Sequence, residues 1–452
     1  MRKMSLAGCG SILILGLMMA VPAHAIPSFA RQTGYACADC HIGGFGPELT
    51  PQGREFKLRG YVGGSEDLKF WGLDRLSAMT TGSFTHTAQG QPGGAAKHYG
   101  DNNNFALDDA SLFYGGRVYD HLGAFGQVTW DGIARQTSID NVDIRYARPL
   151  NLLGSDLVAG LTLNNNPTAQ DLWHTTPAWG FPYASSGLAP TPGAATVIEG
   201  TLAQRVTGLG AYLMWNDLVY AEITGYSTLP KTTQDNLGLG LDEYVSNKGI
   251  APYWRLALQK TSDQQAMSIG TYGLYSRLYP SGVEQAGTDD YHDAAIDAQY
   301  QYLGDGRHIV GLYAAYIRED QNLDASKALA ATANSHGRLE TMRLTASYHY
   351  LNTYGGALQF FQTTGSHDAL LYTPGEIDGF RTASPNSRGY QLQLDLTPFG
   401  KENSWLAPWL NTRLALLYTH YVHFNGGSLN YDGSGRDASD NDTIFLSAWF
   451  LL

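Results

Sequence analysis

The chain has 452 residues, of which only 15% are charged and 12% aromatic, with 53 Gly and 28 Tyr. An ordinary soluble domain is about a quarter charged, so the composition speaks against a surface that faces only water. The balance of 41 acidic to 29 basic residues leaves no basic face for a nucleic acid, and three cysteines cannot frame a chain of this length with disulfides.

The first segment carries Arg2 and Lys3, an apolar run from Ser11 to Val21, and Ala23-His24-Ala25. This is the order of a secretory signal, and it predicts cleavage after Ala25. The run is followed at once by Pro22 and is shorter than the roughly 20 apolar residues of a membrane anchor. Leu6-Ala7-Gly8-Cys9 resembles a lipoprotein cleavage box but precedes the apolar run instead of following it. The expected organisation is a signal peptide over 1–25, a small segment over 26–71 and a larger domain over 72–452.

The exported chain then retains only Cys37 and Cys40, in Cys37-Ala38-Asp39-Cys40-His41. That spacing lets two thiols form thioethers with haem vinyl groups while the adjacent imidazole takes an axial position on iron. No βαβ context surrounds the pair, as a thioredoxin-like site would require, and no second ligand pair lies close by for zinc. One covalently bound haem c is expected, on Cys37 and Cys40, with His41 as axial ligand. His41 is expected to donate its other ring N–H to a backbone carbonyl within 43–47.

The sixth iron position has no donor within the segment, because 26–71 offers no Met and no second His. Met79 is the best single choice, sharing parity with Ser77, Thr81, Ser83 and Thr85 on the polar face of the first strand. His86, of opposite parity, His98 in a loop, the Ile26 amine, Lys57 and water are the other candidates. Between motif and barrel, Thr50 to Gly60 reads as a short helix with Thr50 as N-cap, Pro51 at the first position and Gly60 as the stop. Its Arg54, Lys57 and Arg59 either meet haem propionates or form a solvated face.

From about Leu73 onward the chain alternates apolar and polar residues in segments near the length of about 9 to 11 that a tilted transmembrane strand needs. Asp143 and Arg145 interleave with Val142, Ile144 and Tyr146. Thr341, Arg343, Thr345 and Ser347 interleave with Met342, Leu344, Ala346 and Tyr348, and Gln391, Gln393 and Asp395 with Tyr390, Leu392 and Leu394. A charge at Ile144 or Leu394 should therefore meet lipid, and one at Asp143 or Gln393 should be mild.

Short connections near 120–123, 215–218, 303–306 and 351–354 alternate with long ones near 88–104, 164–205, 228–251, 280–290, 320–337 and 363–387. That rhythm predicts an all-β fold, a transmembrane antiparallel barrel of about sixteen strands with both termini periplasmic. Trp130, Trp215, Trp254, Trp409 and Trp449 fall near strand ends, where aromatic girdles lie. The last segment, Thr443 to Leu452, places Ile444, Leu446, Ala448, Phe450 and Leu452 on one face. It looks like the closing strand of an outer-membrane protein, although it ends in Leu452 and not in an aromatic residue.

The stretch Ala25 to Gly34, the Cys37–His41 motif, and Pro47-Glu48-Leu49-Thr50-Pro51-Gln52-Gly53-Arg54-Glu55-Phe56-Lys57-Leu58-Arg59-Gly60-Tyr61 together resemble the fused outer-membrane cytochrome-porins of iron-oxidising bacteria. The detailed match covers only the start of the exported chain. Ile42-Gly43-Gly44-Phe45-Gly46 is longer than the linker of that family, which leaves the electron donor open.

The resemblance implies a monohaem cytochrome segment in or under a porin-like barrel, carrying electrons from extracellular Fe(II) to a periplasmic c-type cytochrome or other carrier. It makes the chain an electron-transfer protein of the outer membrane more than a bond-making enzyme. The competing readings are a diffusion porin with a structural or sensory haem, a conduit with another donor or acceptor, and a haem enzyme with an open sixth site. Asp289, Asp290, Asp432, Asp437, Asp440 and Asp442, in expected external loops, either solvate those loops or gather cations near the mouth.

Overall fold

The computed structural model describes residues 27–63, 74–239 and 244–452. The signal peptide, Ile26 and the expected boundary at 71/72 lie outside the described residues.

Sixteen antiparallel strands form a closed barrel in which every strand pairs with its neighbours in sequence and the first pairs with the last. They are β1 Leu76–Thr87, β2 Asn104–Tyr119, β3 Leu122–Asp131, β4 Gln136–Leu152, β5 Ser155–Asn164, β6 Val206–Trp215, β7 Val219–Thr228 and β8 Ala251–Thr261. There follow β9 Gln265–Leu278, β10 Asp289–Tyr302, β11 His308–Asn322, β12 His336–Tyr350, β13 Tyr354–Gly365, β14 Ser387–Leu396, β15 Asn411–His423 and β16 Thr443–Leu451. Closure leaves no edge, so every strand finds its backbone partners within the sheet, as a strand in lipid must.

The side-chain alternation follows the sequence reading. Leu209, Ile223 and Ile269 are more than 60% exposed on the outer face, which in this fold is the lipid face. Tyr220, Tyr226, Tyr253 and Tyr272 are fully buried on the inner one. Two connections depart from the long and short rhythm: residues 132–135 make a tight external turn, and 397–410 form a long periplasmic one. Trp215 and Trp254 are exposed on the outside as girdle residues should be, and Trp130 shares the outward parity of Val128. The other two do not serve there. Trp449 shares the inward parity of Phe445 and packs edge-on against Phe45 (5.1 Å), and Trp409 lies under the Arg31 guanidinium (4.9 Å).

The lumen is filled from two sides. Residues 27–63 form three short helices, α1 Pro27–Thr33, α2 Cys37–Cys40 and α3 Pro51–Leu58. Thr50 caps α3 by accepting from Gly53 N (3.2 Å), and Gly60, at φ 75°, ends it as expected. This segment bonds to the wall all round. Gln32 donates to Gly115 O on β2 (2.8 Å), Tyr61 to Asp143 on β4 (2.7 Å), and Tyr212 on β6 to Leu58 O (2.8 Å). Arg54 donates to Gln299 and Gln301 on β10 (2.8 and 2.9 Å), and Asn411 on β15 to Gly44 O (2.8 Å).

Residues 165–205, between β5 and β6, fold inward above it. Gln170 donates to Tyr226 OH on β7 (2.9 Å), Trp173 to Gln259 on β8 (3.1 Å), and Gln359 on β13 to Phe181 O (3.1 Å). Arg343 on β12 pairs with Glu199 (2.7 Å). The long stretch expected to be an external loop is therefore a second layer of lumen filling.

Candidate functional site

Between the two layers and the barrel wall lies a cavity of about 500 Å³, within the range of cofactor sites. One helical turn, α2, carries Cys37 and Cys40 three residues apart, and i and i+3 share a helix face. Both are buried, and both line the cavity together with His41. Its apolar walls come from the plug and from the barrel: Phe29, Phe45 and Phe56 on one side, Phe113, Phe125, Phe445 and Trp449 on the other.

α3 holds the motif from behind. A Cβ on Gly53 would lie 2.3 Å from Cys40 O, closer than any real contact, so only glycine lets the two helices meet here. Gly43, Gly44 and Gly46, at φ 72°, 69° and 94°, fold the long linker back on itself, and His41 bridges to Leu49 across it.

Burial presses the titratable groups toward neutrality. The Cys40 thiol is pushed up to about 12 by desolvation, with Asp39 adding to it. His41 is pulled down to about 4 by burial, the Gly46 backbone opposing. Its Nδ1 is buried and makes no hydrogen bond of full geometry among the described residues, and the backbone group that acts on the imidazole, Gly46, lies within the expected 43–47.

Lys57 falls to about 7, first through desolvation and then through Arg145. Its ammonium donates to Ala169 O (2.8 Å), meets His174 Nε2 (2.9 Å) and faces the Trp179 ring (4.6 Å). Of the three basic residues expected near haem propionates, only Lys57 lines the cavity. Arg54 turns to β10, and Arg59 pairs with Glu55 at the exposed end of the helix. A helix rotates successive side chains by about 100°, so residues 54, 57 and 59 cannot share one narrow face.

Met79 is on the lumen face of β1 and on the cavity wall, as its parity implies. His86 bonds Asn103 at the outer rim (2.9 Å) and His98 is exposed in the 88–103 loop; neither lines the cavity.

Two sets of residues were missed. His174 and Trp179, from the inward layer, line the cavity with their rings stacked at 4.4 Å. The aromatic density of Trp173-His174-Thr175-Thr176-Pro177-Ala178-Trp179 is unusual for a solvated loop and was the available signal. Asp108, Asp109 and Asp140 also line it. The register of β1 with β2 jumps at Thr81/Gly82, leaving Asp108 as an extra residue, which is how two consecutive aspartates reach one lumen.

The acidic loop residues do something else. Asp432 accepts from Ser434 N (2.8 Å) and Arg436 N (3.2 Å), Asp437 from Asn430 N (2.8 Å), and Asp442 from Tyr421 N (2.9 Å). They are acceptors that fasten loops, and among the described residues no group of three or more His, Cys, Asp or Glu could hold a metal ion.

No protein-family model matches the chain, and no curated relative matches it in sequence. Among solved structures it is similar to OmpF of Salmonella typhi in complex with daunomycin (TM-score 0.48, 13% identity, 83% of this chain and 97% of that one). It is also similar to the anion-selective porin of Comamonas acidovorans (0.45, 10%, 83% and 98%) and the outer-membrane channel DcaP of Acinetobacter baumannii (0.45, 10%, 83% and 96%). Likenesses this distant add nothing to what the register and the apolar exterior establish by themselves: the chain is a porin-like sixteen-stranded barrel of the outer membrane.

Proposed function

We propose that this barrel carries one covalent haem c in the lumen cavity and passes electrons across the outer membrane, from an extracellular donor of the Fe(II) type to a periplasmic c-type cytochrome or other carrier. The observation that carries the reading is the meeting of Cys37, Cys40 and His41 on one lumen cavity of suitable size. The residues suit the group: two thiols on one helical face, an imidazole held neutral by burial, and aromatic walls that exclude water. Bound there, the haem supplies one-electron exchange at iron.

The chain's own residues do the rest. Cys37 and Cys40 would hold the haem covalently, and His41 would ligate its iron. Gly53 lets α3 brace the motif, and Lys57 places the one cavity-lining cation of α3 where a carboxylate would be neutralised. Asp108, Asp109 and Asp140 add carboxyl groups to the wall of the same cavity.

The diffusion-porin reading needs an open water path, and residues 27–63 and 165–205 narrow the lumen by bonding to its wall. The test is purified full-length protein. Acid-acetone should leave haem on the polypeptide, and millimolar Fe(II) should reduce it at acidic and at neutral pH. Cys37→Ala and Cys40→Ala should lose the haem. Complete extraction from the wild type ends the reading.

A further inference from the structure

We propose that His174 is the second axial ligand of this haem, so that the inward layer 165–205 completes a bis-imidazole site with His41. The inference rests on the haem reading above and names the ligand that reading leaves open.

A histidine ligand needs a lone pair toward the iron and a partner that holds its other nitrogen, which fixes tautomer and ring orientation. His174 has both. Its Nδ1 donates to Pro47 O (2.5 Å), so the lone pair lies on Nε2, the atom that Lys57 Nζ meets at 2.9 Å. Trp179 stacks on the ring at 8° and 4.4 Å and sets its plane. Pro47 belongs to the linker that leaves His41, so the loop imidazole is clipped to the haem motif itself.

The backbone adds an independent sign. His174 adopts φ 56°, a left-handed conformation rare for a residue with a Cβ, which persists where the surroundings over-determine it and clusters at functional sites. Asp171 provides that determination by accepting from the backbone N–H groups of Trp173 (3.1 Å), Thr175 (2.9 Å) and Thr176 (3.1 Å). Asp171 is in turn paired with the buried Arg255 (3.3 Å).

The rival donors on the cavity wall are less prepared. Met79 is a flexible thioether on a strand, with no hydrogen bond to its sulfur among the described residues. Lys57 donates to Ala169 O as well as meeting His174 Nε2, so it would keep a partner if that nitrogen were given to a metal. Two imidazoles also make a definite electronic site: low-spin, without a sulfur-to-iron charge-transfer band, and lower in potential than a His/Met pair.

The experiment uses full-length protein folded in detergent, each variant checked for covalent haem by gel staining and for a folded barrel by heat-modifiable mobility. Ferric wild type should be low-spin with no sulfur-to-iron band. His174→Ala should keep its haem, turn high-spin, and return to low-spin on adding imidazole. His174→Met should gain the sulfur-to-iron band, and Met79→Ala should match the wild type.

A low-spin spectrum that survives His174→Ala overturns the inference, as does a wild-type sulfur band lost in Met79→Ala or a low-spin signal lost in Lys57→Met. Should His174→Ala not fold, near-infrared magnetic circular dichroism of the wild type separates two imidazoles from one imidazole with an amine or a thioether. A wild type without covalent haem overturns the haem reading itself, and is told apart because the stain is absent before any ligand is at issue.

Discussion

Asp143 is the residue at which wall, plug and inward layer are joined, and its removal measures what holds the lumen shut. It is 2% exposed and its partner Arg145 is fully buried. Asp143 accepts from Arg145 Nε (2.8 Å), Tyr61 OH (2.7 Å) and Thr162 Oγ1 (3.0 Å). Arg145 in turn donates to Lys57 O in the plug (3.3 Å) and Gln170 O in the inward layer (2.6 Å). Breaking a buried pair from one side costs about 3–5 kcal/mol, because the other charge is left uncompensated, whereas replacing both partners with apolar residues is often near neutral.

Asp143→Ala should therefore destabilise the folded protein by about 3–5 kcal/mol. Asp143→Leu/Arg145→Leu should recover at least half of that loss while still freeing Tyr61 and Lys57 O. Urea titration in detergent, read by heat-modifiable mobility, gives the stability, and planar-bilayer conductance reads the plug. Both variants should leak ions where the wild type does not. A single variant within about 0.5 kcal/mol of wild type and equally silent in the bilayer would refute the tether. The alternation alone made a change at Asp143 look mild; the ion pair that spans three layers reverses that expectation.

Leu392→Lys, on the lipid face, should cost about 2–4 kcal/mol near the midplane, and Gln391→Lys, one residue away on the lumen face, about 1 kcal/mol or less in the same urea titration. Gly53→Val should lower covalent haem yield on stained gels while leaving barrel mobility intact, because its side chain would enter the Cys40 carbonyl. Arg59→Ala breaks an exposed pair with Glu55 and should shift stability by about 0–1 kcal/mol. Deleting 27–63 should raise bilayer conductance sharply; an unchanged conductance would mean that the inward layer alone blocks the lumen.

The strands were legible because a barrel wall imposes a period of two on every one of them, and β12 and β14 keep the parity read from Thr341 to Ser347 and Gln391 to Asp395. The α3 helix was legible from local chemistry alone, since Thr50, Pro51 and Gly60 act within one or two turns. What stayed hidden depends on partners far apart in sequence. Nothing near Asp171 announces that Arg255 will meet it, so 165–205 could not be read as folding inward. The bulge at Asp108 is invisible to a rule of strict alternation. Trp409 and Trp449 sit near strand ends as girdle residues do, but the parity of β16 turns Trp449 inward against Phe45, and Trp409, in the 397–410 connection, meets Arg31 of the plug.

A stretch as short as 27–63 lies below the size of about 40 residues at which a chain can bury a core without help. Here the help is the barrel. Phe113, Phe125, Phe445 and Trp449 complete the apolar walls around Cys37, Cys40 and His41, and strands β2, β4, β6, β10 and β15 take up hydrogen bonds that water would otherwise satisfy. The same contacts that shape the site narrow the channel. A lumen that held the proposed haem would have less room for a wide aqueous pore, and electron transfer would need none. For this reason the plug and the proposed haem are one argument: each explains why the other is where it is.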